Sequence, residues 1–173
     1  PSRLAKGMVA VSKSNRRVRE LRKLIRRGSY RDEMQVYVIE GRGLLREAAL
    51  TGNIPIDIFV ADNDSDMASE VSELVSAGST VWDLEEKVLR SVASTQNPQS
   101  VVATVPMVEY SLDDILESSP SFLVIGVEIN DPGNAGTIIR TAAASGADAV
   151  IFSHGSVDVY NPKVVRASAG GIF

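Results

Sequence analysis

Residues 128–146 gather the side chains best suited to chemistry: Glu128, Asn130, Asp131, Asn134 and Arg140, set among Gly133, Gly136 and Gly146. Polar groups in a glycine-rich stretch that joins a strand to a helix read as an active-site loop. On a helix over 134–145, turning about 100° per residue, Ala135, Ile138, Ile139 and Ala142 form one apolar arc and Arg140 lies roughly 150° from its centre. Arg140 therefore points away from the sheet. Its side chain leans toward the helix amino terminus, over Gly136 and Gly133, where missing side chains leave backbone open to a ligand or a second chain. Helix N–H groups and a guanidinium aimed at one spot favour a phosphate. The same spacing fits a solvated arginine on an outer helix face beside two turn glycines.

The elements that position these groups flank them. Residues 122–127 (Phe-Leu-Val-Ile-Gly-Val) are a short apolar run of the kind that fills the middle of a parallel sheet, and 147–152 repeat the pattern after the helix. The unit is strand, loop, helix, strand. In such units the carboxyl end of the strand and the amino end of the next helix face the ligand crevice, which places residues 130–136 there.

At these residues the chain resembles the SpoU family of the SPOUT superfamily, whose first motif has an asparagine and an arginine six positions apart in a D-P-G-N-x-G-x-x-x-R-x-A setting; Asn134 and Arg140 fill the two places. Residues 161–171 (Asn-Pro-Lys-Val-Val-Arg-Ala-Ser-Ala-Gly-Gly) resemble the family's following segment, and 95–103 the end of its amino-terminal domain. Ser14-Asn15-Arg16-Arg17-Val18, with Glu40-Gly41 later, is similar to its opening. The likeness runs through nearly the whole chain in the expected order. It implies transfer of a methyl group from S-adenosylmethionine to a ribose 2′-hydroxyl of ribosomal or transfer RNA, with ribosomal RNA favoured.

Charge supports an RNA partner when read locally. The whole chain carries a formal −4, but residues 1–31 hold eleven Lys or Arg against one acid, Glu20, so about +10 there stands against about −14 elsewhere. A basic arm on an acidic body suggests phosphate-backbone contact that weakens with salt. Within it Ser14 can cap a helix whose Val18, Leu21, Leu24 and Ile25 form an apolar stripe, while Arg16, Arg17, Arg19, Lys23, Arg26 and Arg27 crowd the other faces. Asn15, Arg16, Arg17 and Lys23 are the RNA-contact candidates of this arm. A solvated helix face accounts for part of the charge.

The fold class is α/β in two domains. Strands at 36–40, 56–61, 80–82 and 100–105 alternate with helices at 43–50, 67–77 and 85–92, giving a small α/β domain over 1–105. In the family this unit is a substrate-binding domain that looks like certain ribosomal RNA-binding proteins. Residues 106–120, with two prolines and an acidic helix candidate at 112–117, read as a linker. Residues 121–173 are then the first half of an α/β SPOUT domain, with roughly 53 residues for two strands and two helices. The family's two later motifs, which form the S-adenosylmethionine pocket and the deep trefoil knot, have no counterpart here. The chain reads as truncated, with the cofactor-binding residues beyond 173, no turnover by this polypeptide and no family knot. No cysteine occurs, so no disulfide or thiolate metal site is available, and no metal is expected. Without a long apolar run or a signal-like start, a cytoplasmic protein with no membrane association is expected.

The resemblance implies in-line attack of a ribose oxygen on a sulfonium methyl, in which positioning is the larger burden. Arg140 resembles the arginine assigned to the ribose; a guanidinium with pKa above about 12 is an awkward proton acceptor, so its expected work is to hold the phosphate and polarise the 2′-oxygen. Asn134 can orient the hydroxyl or cap the helix. Glu128, at the strand's carboxyl end, can hold Arg140 or the loop and counts with the substrate-binding residues. Lys163, Arg166 and Ser168 match family positions near the site and can contact RNA, or form a basic face at a subunit contact. Family members are homodimers, and the small-residue face around Gly136 and Arg140 is the candidate contact. Trp82 and Tyr37 read as core rather than base-stacking residues, and His154 takes no role. The competing reading is a non-catalytic RNA-binding module, which explains the charge but not the loop. A dinucleotide-binding domain fails on spacing, since Gly126, Gly133 and Gly136 do not make G-x-G-x-x-G.

Overall fold

The computed structural model describes residues 8–61, 68–93, 99–108 and 110–173. Arg3 and Lys6 of the basic arm, Met67 and residues 95–98 of the family-like segment lie outside them. The chain forms two compact units, Pro1–Pro106 and Met107–Phe173.

The first unit contains β1 (Met8–Val11), α1 (Arg16–Arg26), α2 (Gly28–Met34), β2 (Val36–Glu40), α3 (Arg42–Leu50), β3 (Asp57–Ala61), α4 (Ala68–Ser76), β4 (Thr80–Leu84), α5 (Glu86–Val92) and β5 (Val101–Pro106). Its sheet runs β1-β4-β3-β5-β2, parallel across β1, β4 and β3 and antiparallel where β5 joins β3 and β2. Side chains alternate across such a sheet. Val38, Phe59, Ala61, Leu84 and Val102 meet Val18, Leu21 and Leu24 of α1 and Val88, Leu89 and Val92 of α5 in one buried cluster. The alternate strand residues, among them Tyr37, Ile39, Ile58, Val60 and Val81, are buried as well, as are Leu44, Leu45 and Ala48 of α3. The expected α1 stripe is thus the face that enters the core, and its arginines stay outside.

Two short features of this unit escaped the sequence. β1 has four residues at the sheet edge, too few for alternation to register. The basic helix also ends sooner than its charge pattern suggests: Arg27 leaves helical geometry at φ −129° and ψ 113°, and α2 begins at Gly28. Arg31, one of the eleven cations, is buried, and its guanidinium donates to the Leu24 carbonyl at 2.6 Å, covering the end of α1. That withdraws it from any RNA-facing surface.

The second unit contains α6 (Leu112–Glu117), β6 (Leu123–Gly126), α7 (Pro132–Ala144), β7 (Ala149–Phe152) and α8 (Pro162–Ala167). β6 and β7 pair in parallel, with Leu123 opposite Ala149 and Gly126 opposite Phe152. Ala135, Ile139 and Val164 form the buried centre, with Ile129, Val150, Phe152, Val157 and Ile172 packed on it. The expectation that the first apolar run is buried within a sheet is not met. Among the described residues β6 pairs only with β7, and Ile125 and Val127 are 65% and 66% exposed.

Asp148 ties the two strands at their other end. Its Oδ2 accepts from the N–H groups of Ser121 and Phe122, each at 2.8 Å, and from Ser121 Oγ at 3.1 Å. The Phe122 bond, then the two from Ser121, hold its pKa below the ordinary carboxylate value. A depressed folded pKa stabilises above the unfolded value and is lost as pH falls through the folded one. Acidification below the ordinary carboxylate range should therefore loosen the start of β6. In an acid titration followed by amide exchange at Phe122, Asp148→Asn should show weaker protection at neutral pH and a flatter acid limb than the parent.

Candidate active site

Parallel pairing puts the carboxyl ends of β6 and β7 on one edge, and both following loops and helix starts gather there. Asp131 takes non-helical dihedrals and its Oδ1 accepts the Asn134 N–H at 2.8 Å, while Pro132 fills the first helical turn. The helix therefore starts two residues before the expected 134, and Asp131, not Asn134, is its cap. That takes the capping role from Asn134. Its side chain is exposed and has no hydrogen-bond partner among the described residues. Asp131→Ala should cost about 1 kcal/mol in thermal unfolding, the usual loss of an N-cap.

The second loop braces the first. Ser153 Oγ accepts the Glu128 N–H at 2.9 Å, Ser156 Oγ accepts the Ile129 N–H at 3.2 Å, and Val157 N–H donates to the Ile129 carbonyl at 2.8 Å. Glu128 is held at φ +52°, a left-handed conformation unusual for a side-chain-bearing residue. Such geometry persists where surrounding bonds over-determine it. No sequence signal marks Ser153 and Ser156, because their partners are set by the strand register.

Arg140 is exposed on α7, as its angular position predicts, and has no hydrogen bond or ion pair among the described residues. It lies six residues beyond Asn134, about 9 Å along the helix axis, with a side chain that leans back toward the capped end. Of the two roles open to Glu128, the pairing with Arg140 is not formed among the described residues. Glu128 engages the loop through its backbone instead, its carbonyl accepting from Asn130 Nδ2 at 3.0 Å.

The reading of Gly136 as open backbone is overturned. Gly136 is buried, and a Cβ there would lie 2.6 Å from the Val164 carbonyl oxygen and closer still to Ala167 Cβ. Its missing side chain lets α7 and α8 touch, so Gly136 serves no subunit contact. On α8, Asn161 Oδ1 accepts the Lys163 N–H at 2.9 Å and caps the helix. Lys163 and Arg166 are exposed. Ser168 is fully buried with its hydroxyl donated to the Val165 carbonyl at 2.7 Å, which removes it from the RNA-contact candidates.

In the first unit the candidate cations sit on α1. Asn15, rather than Ser14, is the cap: its Oδ1 accepts the Arg17 N–H at 2.8 Å. Glu20 accepts from Arg16 Nε at 2.7 Å and from Arg17 Nη1 at 3.3 Å, so the single acid of the arm is shared by two of its arginines. The Arg16 pKa is raised by that hydrogen bond and by the Glu20 charge. Lys23 stands 5.0 Å over the Tyr30 ring. Tyr37 is buried, as a core residue should be; Trp82 is half-buried and packs against the core from its edge, and His154 is exposed.

Residues 15–103, just over half the chain, match the MRM3-like substrate binding domain, and residues 121–173 match the SpoU rRNA Methylase family. The chain belongs to the SpoU family. Over 162 residues it is 32% identical to the Bacillus subtilis 23S rRNA (guanosine(2553)-2′-O)-methyltransferase RlmP, covering 94% of this chain and 61% of that protein. A solved rRNA methyltransferase from Sinorhizobium meliloti superposes with a TM-score of 0.83 at 29% identity, covering 96% of this chain and 62% of that one. The SpoU methyltransferase AviRb from Streptomyces viridochromogenes, solved with AdoMet, does so with a TM-score of 0.80 at 27% identity, covering 91% and 60%. The SpoU chain described here thus spans about three-fifths of the length of these relatives.

Proposed function

We propose that this chain is part of an RNA methyltransferase that moves a methyl group from S-adenosylmethionine to a ribose 2′-hydroxyl of ribosomal RNA. The observation that carries this is the free Arg140 guanidinium on the same capped helix as the free Asn134 amide, at the edge where both loops converge. Arg140 holds the phosphate next to the target ribose and polarises the 2′-oxygen; Asn134 orients the hydroxyl. Glu128, Lys163 and Arg166 line the approach of the strand, and Asn15 fixes the helix from which Arg16, Arg17 and Lys23 meet the RNA backbone. The donor supplies an electrophilic methyl on sulfur. When the 2′-oxygen accepts that methyl, its hydroxyl proton would pass to solvent, because a guanidinium remains charged at neutral pH.

The residues present do not by themselves build a pocket for the donor's adenosine: Ile125 on β6 and Val127 just after it are exposed. We assign the pocket to the two-fifths of the relatives' length that this chain does not span, and expect residues 1–173 alone not to turn over. Domain limits of 1–105 and 121–173 with a linker at 106–120 belong to the same reading, as do a cytoplasmic setting and a homodimer whose contact avoids Gly136. The test is methyl transfer from labelled donor into total ribosomal and transfer RNA by the full-length protein carrying this chain, beside the 173-residue chain. Label at a ribose 2′-oxygen of ribosomal RNA with the full-length protein only is expected. Tight RNA binding by the full-length protein without methylation would instead make it a binding module.

A further inference from the structure

In the first unit a cavity of about 100 Å³ opens between α1, α2 and the sheet, lined by Leu21, Leu24 and Phe59 below, with Tyr30 and Met34 toward the mouth. That is somewhat less than a cavity that accepts benzene and enough for one edge of a planar ring. Asp57 lines it and is only 6% exposed. One of its oxygens, Oδ1, accepts the Trp82 indole N–H at 2.7 Å. Among the described residues the other, Oδ2, accepts no hydrogen bond and has Arg17 Nη1 3.8 Å away. Oδ2 is thus an acceptor left open at the cavity that Asp57 lines. Of the α1 charges, Arg17 and Glu20 line the opening, and Lys23 lies over the ring of Tyr30, another lining residue.

We infer that this cavity receives the Watson–Crick edge of one unpaired guanine of the RNA, whose N–H donors complete Asp57. The inference rests on the RNA-substrate reading above. Apolar walls and the Tyr30 ring suit a splayed-out base, the form in which single-stranded RNA is read. An ionised carboxylate only accepts. Guanine offers it two adjacent donors, N1–H and the 2-amino group. Cytosine and adenine place a ring acceptor beside their amino group, and uracil flanks its N–H with two carbonyls, so each sets a lone pair against the carboxylate. The arginines and Lys23 hold the phosphates on either side without reading sequence, and Asp57 supplies the choice.

Trp82, the only tryptophan in the chain, reports on Asp57 directly through its indole bond. Three single-stranded RNA heptamers would be titrated at low salt against the 173-residue chain: heptauridylate, the same with a central guanosine, and the same with a central inosine, which lacks the 2-amino group. Binding is followed by the anisotropy of labelled RNA and by Trp82 emission. The guanosine heptamer should bind about 10-fold tighter than heptauridylate and change Trp82 emission, with inosine between them. Asp57→Asn keeps an acceptor for Trp82 but turns a donor toward the base; it should erase the preference for the guanosine heptamer over heptauridylate. Met34→Tyr, at an exposed mouth position, should erase it by occlusion without touching the buried carboxylate. Equal binding of all three heptamers with steady Trp82 emission overturns the guanine pocket and leaves the RNA reading standing, as does a preference that survives both substitutions. Failure of every heptamer to bind overturns both.

Discussion

Arg140→Ala in the full-length protein should lower methyl transfer to ribosomal RNA by about 10²–10³-fold, the usual cost of removing one preorganised charged donor from a reacting oxygen. Among the described residues Arg140 makes no hydrogen bond or ion pair that its loss would break, and it is exposed, so folding should be unaffected. The fall should appear in kcat as well as kcat/KM, because a group that polarises the 2′-oxygen acts more strongly in the transition state than on bound RNA. Arg140→Lys should recover little, since an ammonium cannot span a phosphate oxygen and a ribose oxygen as a planar fork does. Single-turnover methylation with RNA in excess of its Kd is the measurement. A variant that loses only affinity and regains the full rate at saturating RNA would reduce Arg140 to a phosphate clamp.

Gly136→Ala should be the most damaging small substitution in the second unit. An alanine normally stabilises a helix interior by up to about 1 kcal/mol over glycine. Here the added carbon meets the Val164 carbonyl oxygen at 2.6 Å, and backbone on α8 cannot rotate aside as a side chain would. Overpacking of this kind costs about 1–3 kcal/mol or more, which outweighs the helical gain. A net loss of about 2 kcal/mol would lower the melting temperature of so small a unit by roughly 10 °C. Gly43→Ala in α3, where nothing lies within 4 Å of the added carbon, is the control and should be neutral or slightly stabilising. Circular dichroism melts of both variants decide it. Equal behaviour would mean that α8 can shift away from α7, and that helix contact would not be what holds Arg166 and Lys163 beside the site.

Local chemistry made much of this legible. The α1 stripe of Val18, Leu21 and Leu24 repeats at helical spacing, and it is the face that enters the core. The outward direction of Arg140 follows from counting residues along one helix, and the strands at 36–40 and 57–61 were marked by their apolar runs. Cap assignments were harder because neighbouring residues competed. Asn15 stands beside Ser14, and Asp131 stands before Pro132 three residues ahead of Asn134. Which oxygen reaches an amide is a matter of ångströms, and sequence preference alone does not separate such close alternatives. The Asp131-Pro132 pair did carry a usable signal, since proline favours the first helical position and aspartate the cap before it.

What the sequence by itself determined is the set of groups: an arginine and an asparagine on one helix behind a glycine-rich loop, a basic arm on an acidic body, and the order of segments that marks the SpoU family. Those properties depend on residue type and on spacing within a single element. Tertiary structure decided which groups are free to act. It buried Gly136 against Val164, turned Ser168 inward, spent Arg31 on the end of α1, and set Ser153 and Ser156 under the loop that holds Glu128 in a left-handed turn. It also brought the Trp82 indole onto Asp57, 25 residues away in the chain, beside the cavity that Asp57 lines. Each of these rests on contact between elements distant in the chain, and such contacts are set by strand register and helix packing, which no local pattern encodes.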